Sequence, residues 1–192
     1  LRIWIIALCC ALAAFMAWHV REESRVATTP GLSEAENGSL RQLLKLLEAD
    51  PLARRLETRQ LVQEVARWAE TGRLNTAETE YALALDYQDR KAFTSAERAF
   101  RKAAQLRPDW SWPMNGLGIL LAAHAQGRQK EAEELLRKAV ALDPDWWRPH
   151  NDLAILYRNQ KRLEDAETEA REALRLAPDE LATNNNYGNL LI

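Results

Sequence analysis

The sequence predicts an all-α fold, a solenoid of stacked antiparallel helix pairs preceded by an N-terminal transmembrane helix and a helical hairpin. Two observations carry the solenoid. Pro108, Pro144 and Pro178 recur 36 and 34 residues apart. Twelve residues before each stands Ala96, Ala132 or Ala166, and five before each stands Ala103, Ala139 or Ala173. Alanines seven residues apart are two helical turns apart and share one face. A third observation carries the membrane span: from Ile3 to Val20 the single polar side chain is His19.

Alanine recurs because two helices approach backbone to backbone only where the side chain between them is nearly absent. Upstream of each alanine pair come Leu83-Ala84, Leu117-Gly118, Leu153-Ala154 and Tyr187-Gly188, followed three residues on by Tyr87, Leu121, Tyr157 and Leu191. This large-small-large pattern predicts a first helix whose small spot receives the second. One such pair cannot bury its apolar face alone, so successive pairs stack and share a core.

These positions resemble the tetratricopeptide repeat (TPR), with its W-x2-L-G-x2-Y, A-x3-F and closing P in about 34 residues. Repeat 1 (77–110) carries Leu83, Ala84, Tyr87, Ala96, Phe100, Ala103 and Pro108; repeat 3 (147–180) carries Leu153, Ala154, Tyr157, Ala166, Ala173 and Pro178. Repeat 2 (111–146) keeps Leu117-Gly118 and has two extra residues, expected in the turn around Gln126-Gly127-Arg128. Residues 181–192 begin a fourth repeat, and with no initiator methionine the chain reads as a fragment. Glu80, Met114, His150 and Asn184 fill the first aromatic slot of the signature, and Ala170 replaces its phenylalanine.

Composition narrows the function. A net charge of −2 gives no electrostatic footprint for nucleic acid, so no nucleic-acid partner is expected. The two cysteines, Cys9 and Cys10, are adjacent in an apolar run and offer neither a disulfide framework nor a metal site. As a helix, residues 3–20 reach about 27 Å against a hydrocarbon core of about 30 Å. Trp4 and Trp18 lie near the ends, where amphipathic rings favour the headgroup level. The expected partner of residues 3–20 is the lipid bilayer, which places the protein at a membrane as a single-pass chain with the side of the repeats undetermined. The alternative is a cleaved signal peptide with Ala11-Leu12-Ala13 as its processing site.

Residues 21–38 mix charge with Thr28-Thr29-Pro30-Gly31 and predict a tether. Asn37-Gly38-Ser39 matches a glycosylation sequon, but Ser39 with Gln42 also forms a capping box, and the cap is the preferred role. A helix is therefore predicted from about Ser39 to Ala49, with Leu40, Leu43, Leu44 and Leu47 at helical spacing. Asp50-Pro51 restarts a second helix that runs to about Glu70 and ends at Gly72. Residues 39–75 thus read as a divergent helical hairpin that caps repeat 1, and Asn75 with Glu78 opens that repeat.

In each first helix, side chains at i+3 and i+4 spacing that point away from the partner helix line the face that the TPR resemblance makes a concave groove. The candidate partner-binding residues there are Tyr81 and Leu85; Trp112, Asn115 and Ile119; Arg148, Asn151, Ile155 and Arg158; and Asn185 and Asn189. Asn115, Asn151 and Asn185 share one repeat position and have the amide chemistry to read an extended peptide backbone. The competing role is bonding between neighbouring helices. TPRs that bind chaperones clamp a C-terminal carboxylate with lysine and asparagine one turn apart; Tyr81 and Leu85 stand there instead. Asp109-Trp110-Ser111-Trp112-Pro113 and Asp145-Trp146-Trp147-Arg148-Pro149 sit at matching joints, where rings more often act as packing wedges between repeats than as ligand platforms.

No catalytic motif is found. His19, His124 and His150 form no metal-binding pattern, and Gly116-Leu117-Gly118 lacks the third glycine of a dinucleotide loop. Neither a cofactor nor enzymatic activity is expected. The function predicted is a membrane-anchored TPR scaffold or adaptor, with a protein or peptide segment as partner. Its alternative is the C-terminal TPR tail of a multi-pass envelope polysaccharide polymerase or ligase whose catalytic part lies outside this chain. The alanine- and arginine-rich style hints at a bacterial source.

Overall fold

The computed structural model describes residues 33–49 and 56–188. Among the described residues the architecture is all-α, with nine helices and no strand. The chain divides into two compact units, one up to Val65 and the other from Ala66 onward.

The first unit holds helix α1 (Glu34–Ala49) and the start of α2 (Leu56–Glu70). The α1 helix starts five residues before the predicted Ser39, and a different capping box starts it. The Ser33 N–H donates to the Glu36 carboxylate at 2.9 Å, and the Glu36 N–H donates to Ser33 Oγ at 3.3 Å. Asn37 is then helical and 6% exposed, its side-chain amide donating to the Ser33 carbonyl. The predicted tether therefore ends before residue 34, and Ser39 is an interior helical residue. Leu40, Leu43 and Leu44 are buried as their spacing requires. The Asp50-Pro51 restart lies outside the described residues.

In the second unit, α2 ends at Gly72, whose φ of 68° lets the Leu74 N–H return to the Trp68 carbonyl. Three helix pairs follow: α3 (Ala77–Asp89) with α4 (Phe93–Leu106), α5 (Ser111–His124) with α6 (Gln129–Leu142), and α7 (Trp147–Asn159) with α8 (Leu163–Leu176); α9 (Leu181–Gly188) stands against α7 and α8. The opening of α3 is capped one residue later than predicted, by a box between Thr76 and Thr79.

The small residues work as their spacing predicts. Ala96, Ala103, Ala132, Ala139, Ala166 and Ala173 are buried, together with Leu83, Leu117, Leu121, Leu153 and Tyr157. A Cβ at Gly118 would lie 2.8 Å from Leu136 Cγ, and one at Gly116 would lie 2.6 Å from Phe100 Cε1. The first glycine seats the helices of one repeat; the second seats the aromatic ring of repeat 1 against the first helix of repeat 2.

The two extra residues of repeat 2 are divided. Helix α5 has 14 residues against 13 in α3 and α7, and its turn has one residue more than theirs. All three turns use a left-handed residue, at Lys91 (φ 59°), Gly127 (φ 78°) and Lys161 (φ 63°). Pro113 and Pro149 fall in the first turns of α5 and α7, where a helix has no use for the missing N–H. Three residues of the aromatic slot, Glu80, Met114 and His150, are buried, while Asn184 is exposed: Glu80 pairs with Lys102 at 2.6 Å, and His150 Nδ1 lies 2.7 Å from the Glu169 carboxylate. That hydrogen bond raises the His150 pKa.

Successive repeats are also clasped on the side of their second helices. Arg128 donates through both terminal nitrogens to Glu97 at 2.8 and 2.9 Å and through Nε to Glu131 at 2.8 Å; Arg101 reaches the same two carboxylates. At the next joint Arg162 donates to Glu133 and Asp165, while the Tyr157 hydroxyl donates to Glu133 at 3.0 Å.

The expectation of a single-pass membrane protein is corrected. Among the described residues no helix is long and apolar enough to cross a membrane, so membrane localisation through such a span is not supported. Residues 3–20, on which it was placed, lie outside the described residues.

Candidate functional site

The first helices of the repeats form the inner layer of the second unit, with α5 packed on α7 and α7 on α9. Their outward-looking positions are the candidate site. Leu85 of α3, Ile119 of α5 and Ile155 of α7 stand at one repeat position on three successive helices, each half-buried. Leu85 and Ile119 rest on the continuous core beneath. Each offers the remaining part of an apolar side chain to whatever covers the layer.

Beside this apolar line runs a series of rings. Tyr81 lies 5.0 Å from Trp110, 5.9 Å from Trp112 and 5.7 Å from Phe100, centroid to centroid. Trp112 continues to Trp146 at 6.1 Å, so the joint between repeats 1 and 2 is linked to the joint between repeats 2 and 3. Arg107 sits 3.9 Å over Trp110 and Arg148 sits 4.9 Å over Trp147, distances at which a guanidinium is attracted by the ring face. Burial pushes the Tyr81 hydroxyl up to about 12, against the opposing pull of Arg148. The joint tryptophans therefore wedge repeats together, as aromatic residues at such junctions tend to do.

The asparagines are largely spent inside the protein. Asn115 is 3% exposed and donates to the Asp152 carboxylate at 3.0 Å, across the seam between α5 and α7. Asn151 is 6% exposed, and its side-chain oxygen accepts from Asn186 of α9 at 2.6 Å. Asn185, the residue at the matching repeat position, is exposed, and its neighbour Asn186 makes the bond. Asn115, Asp152, Asn151 and Asn186 thus form a polar line that stitches α5, α7 and α9 together, with Asn151 also 3.5 Å from Asp152. This is the helix-bonding role of the amides, and it leaves little of Asn115 or Asn151 for a peptide backbone.

Arg158, one turn beyond Ile155, is half-buried and makes no ion pair among the described residues. Asn189 lies outside the described residues. Sequence reasoning missed Asp152. The repeat position it occupies holds Ala82, Gly116 and Asn186 in the other units, so no periodic signal marks it. Among the described residues no group of three or more His, Cys, Asp or Glu side chains could hold a metal ion.

Residues 123–190 match the tetratricopeptide repeat family. No curated protein matches the chain. Among solved structures, Pseudomonas aeruginosa pilF is similar at 21% identity, covering 82% of this chain and 68% of that one with a TM-score of 0.61. MamA from residue 41 to its end, of Desulfovibrio magneticus RS-1, is similar at 19% identity over 82% and 84% of the two chains, with a TM-score of 0.57. The first TPR of Spaghetti (RPAP3), bound to the HSP90 peptide SRMEEVD, is similar at 17% identity over 60% and 90%, with a TM-score of 0.53. These likenesses show the fold, an all-α helical repeat of the TPR type.

Proposed function

We propose that this chain is a protein-interaction adaptor whose inner layer holds a segment of a partner protein. The observation that carries the reading is the half-buried apolar line Leu85, Ile119 and Ile155, repeated on three first helices and flanked by Tyr81, Trp112 and Arg158. Apolar side chains left partly exposed in register gain from being covered, at about 25 cal/mol per Å² of apolar surface removed from water. A similar fold, the first TPR of RPAP3, holds a peptide, which supports a peptide segment as the occupant here. Tyr81 and Leu85 occupy the places of the carboxylate-clamping pair, so the partner is held along its length and not by its terminus. Arg148 and Arg158 supply the polar contacts, with Asn185 at the open end.

The test is a selection of peptides from a random display library on the folded protein, followed by affinity measurement on Ile119→Glu and Ile155→Glu variants. Each variant is expected to weaken selected peptides at least tenfold, while Glu134→Ala, on the exposed side of α6, leaves them unchanged. Peptides that bind all three proteins equally would remove the inner layer from consideration.

A further inference from the structure

Buried at the seam between α5 and α7 is a side-chain oxygen of Asn115 whose bonding is unaccounted for. Asn115 Nδ2 donates to Asp152 Oδ2 at 3.0 Å, and this fixes which way the amide points, because only its nitrogen donates. Asn115 Oδ1 is left buried with no hydrogen-bond donor. Native folds rarely keep a buried acceptor in that condition, since its lost hydration is not returned.

The surroundings restrict what can satisfy it. From α5 the carboxyl of Asp152 meets the neutral Asn115. On α7 itself it meets Asn151 at 3.5 Å and the charge of Arg148. From α9, Asn186 reaches Asn151 and not Asp152. From α3, Tyr81 is the titratable group that shares Arg148 with it, and its hydroxyl stays protonated to about pH 12. No second carboxylate perturbs Asp152.

We propose that Asp152 takes up a proton in the folded state and closes a reciprocal acid–amide pair with Asn115. Asn115 Nδ2–H donates to one carboxyl oxygen, and the new carboxyl O–H donates to Asn115 Oδ1. The proton comes from solvent and returns to it, and no bond other than that O–H forms or breaks. The pair turns the joint between the second and third repeats into a proton-dependent latch, closed in mild acid and loosened when Asp152 ionises and the amide oxygen loses its donor. Burial acts in the same direction: it pushes the carboxyl up to about 6, outweighing the pull of Asn115 and Arg148 towards ionisation.

Two measurements on the full chain test the latch. In the first, the side-chain carboxyl carbon of Asp152 is followed by 13C NMR from pH 4 to 8, assigned by through-bond correlation so that no variant is needed. Its midpoint is expected about two pH units above the ordinary aspartate value of about 3.9; a midpoint near 4 would overturn the proposal. In the second, Asp152→Asn makes the pair permanent, because an amide offers both an N–H donor and a carbonyl acceptor. At pH 7.5 its α5 and α7 backbone amides should exchange about tenfold more slowly than those of the wild type after correction for intrinsic rates, and at pH 5 the two should agree. Equal exchange at pH 7.5 would show that Asp152 is an ordinary helix-bonding residue.

Discussion

Replacing Gly116 with alanine separates packing from helix propensity, because the two effects have opposite signs there. In an exposed helix, Gly→Ala gains about 1 kcal/mol. At Gly116 the new methyl would stand 2.6 Å from Cε1 and 2.8 Å from Cζ of Phe100, a ring that is 0% exposed and backed by Tyr81 at 5.7 Å. Phe100 cannot turn aside, so helix and ring must part, at a cost of about 1–3 kcal/mol for overpacking. Taking the upper end for a rigid ring, the net effect of Gly116→Ala is a loss of about 2 kcal/mol, or about 4–8 °C in melting temperature for a chain of this size. Urea and thermal unfolding measure it, with Phe100→Leu as the partner of a double-mutant cycle. The leucine should relieve the clash and give a coupling of about 1 kcal/mol or more. A Gly116→Ala protein that melts higher than the wild type, or a cycle with no coupling, would refute the close approach between repeats 1 and 2.

Two further outcomes follow from local geometry and charge. Lys161 holds a left-handed φ of 63° in a turn where repeat 2 uses Gly127, so Lys161→Gly should stabilise the protein by about 0.5–1 kcal/mol in urea unfolding. Hydrogen bonds from Arg128 and Arg101 pull the Glu131 pKa down to about 2. A depressed carboxylate contributes stability above its unfolded value, near 4.5, and loses it as pH falls through the folded one. Melting temperature should therefore drop between pH 4.5 and 2, and Arg128→Ala or 1 M salt should flatten that limb.

The helix pairs were legible because their signal is repeated. Three alanines at one position report one packing event three times, and each is buried where the spacing put it. Helix starts are singular events, and there the sequence offered competing answers. Ser33 with Glu36 and Ser39 with Gln42 both satisfy the capping pattern, and the fold uses the first, extending α1 through Asn37 and Gly38. Thr76 likewise takes the cap from Asn75. At the candidate site, the residues facing the inner layer were legible from helical spacing, but their bonding was not. Whether Asn115 looks outward or across the seam depends on a carboxylate 37 residues away, and Asp152 belongs to no repeated pattern. The choice between Asn185 and Asn186 turns on where α9 sits against α7, which neither residue encodes alone.

The arginine clasps each bridge a single joint, Glu97 to Arg128 at one and Glu133 to Arg162 at the next. Damage at one joint therefore leaves its neighbour's fastening intact, and the stack of repeats comes apart in sections. Its indoles crowd the early joints, with no tryptophan beyond Trp147. Fluorescence and circular dichroism will consequently watch different sections fail, and a gap between their heating curves measures how independently the joints let go.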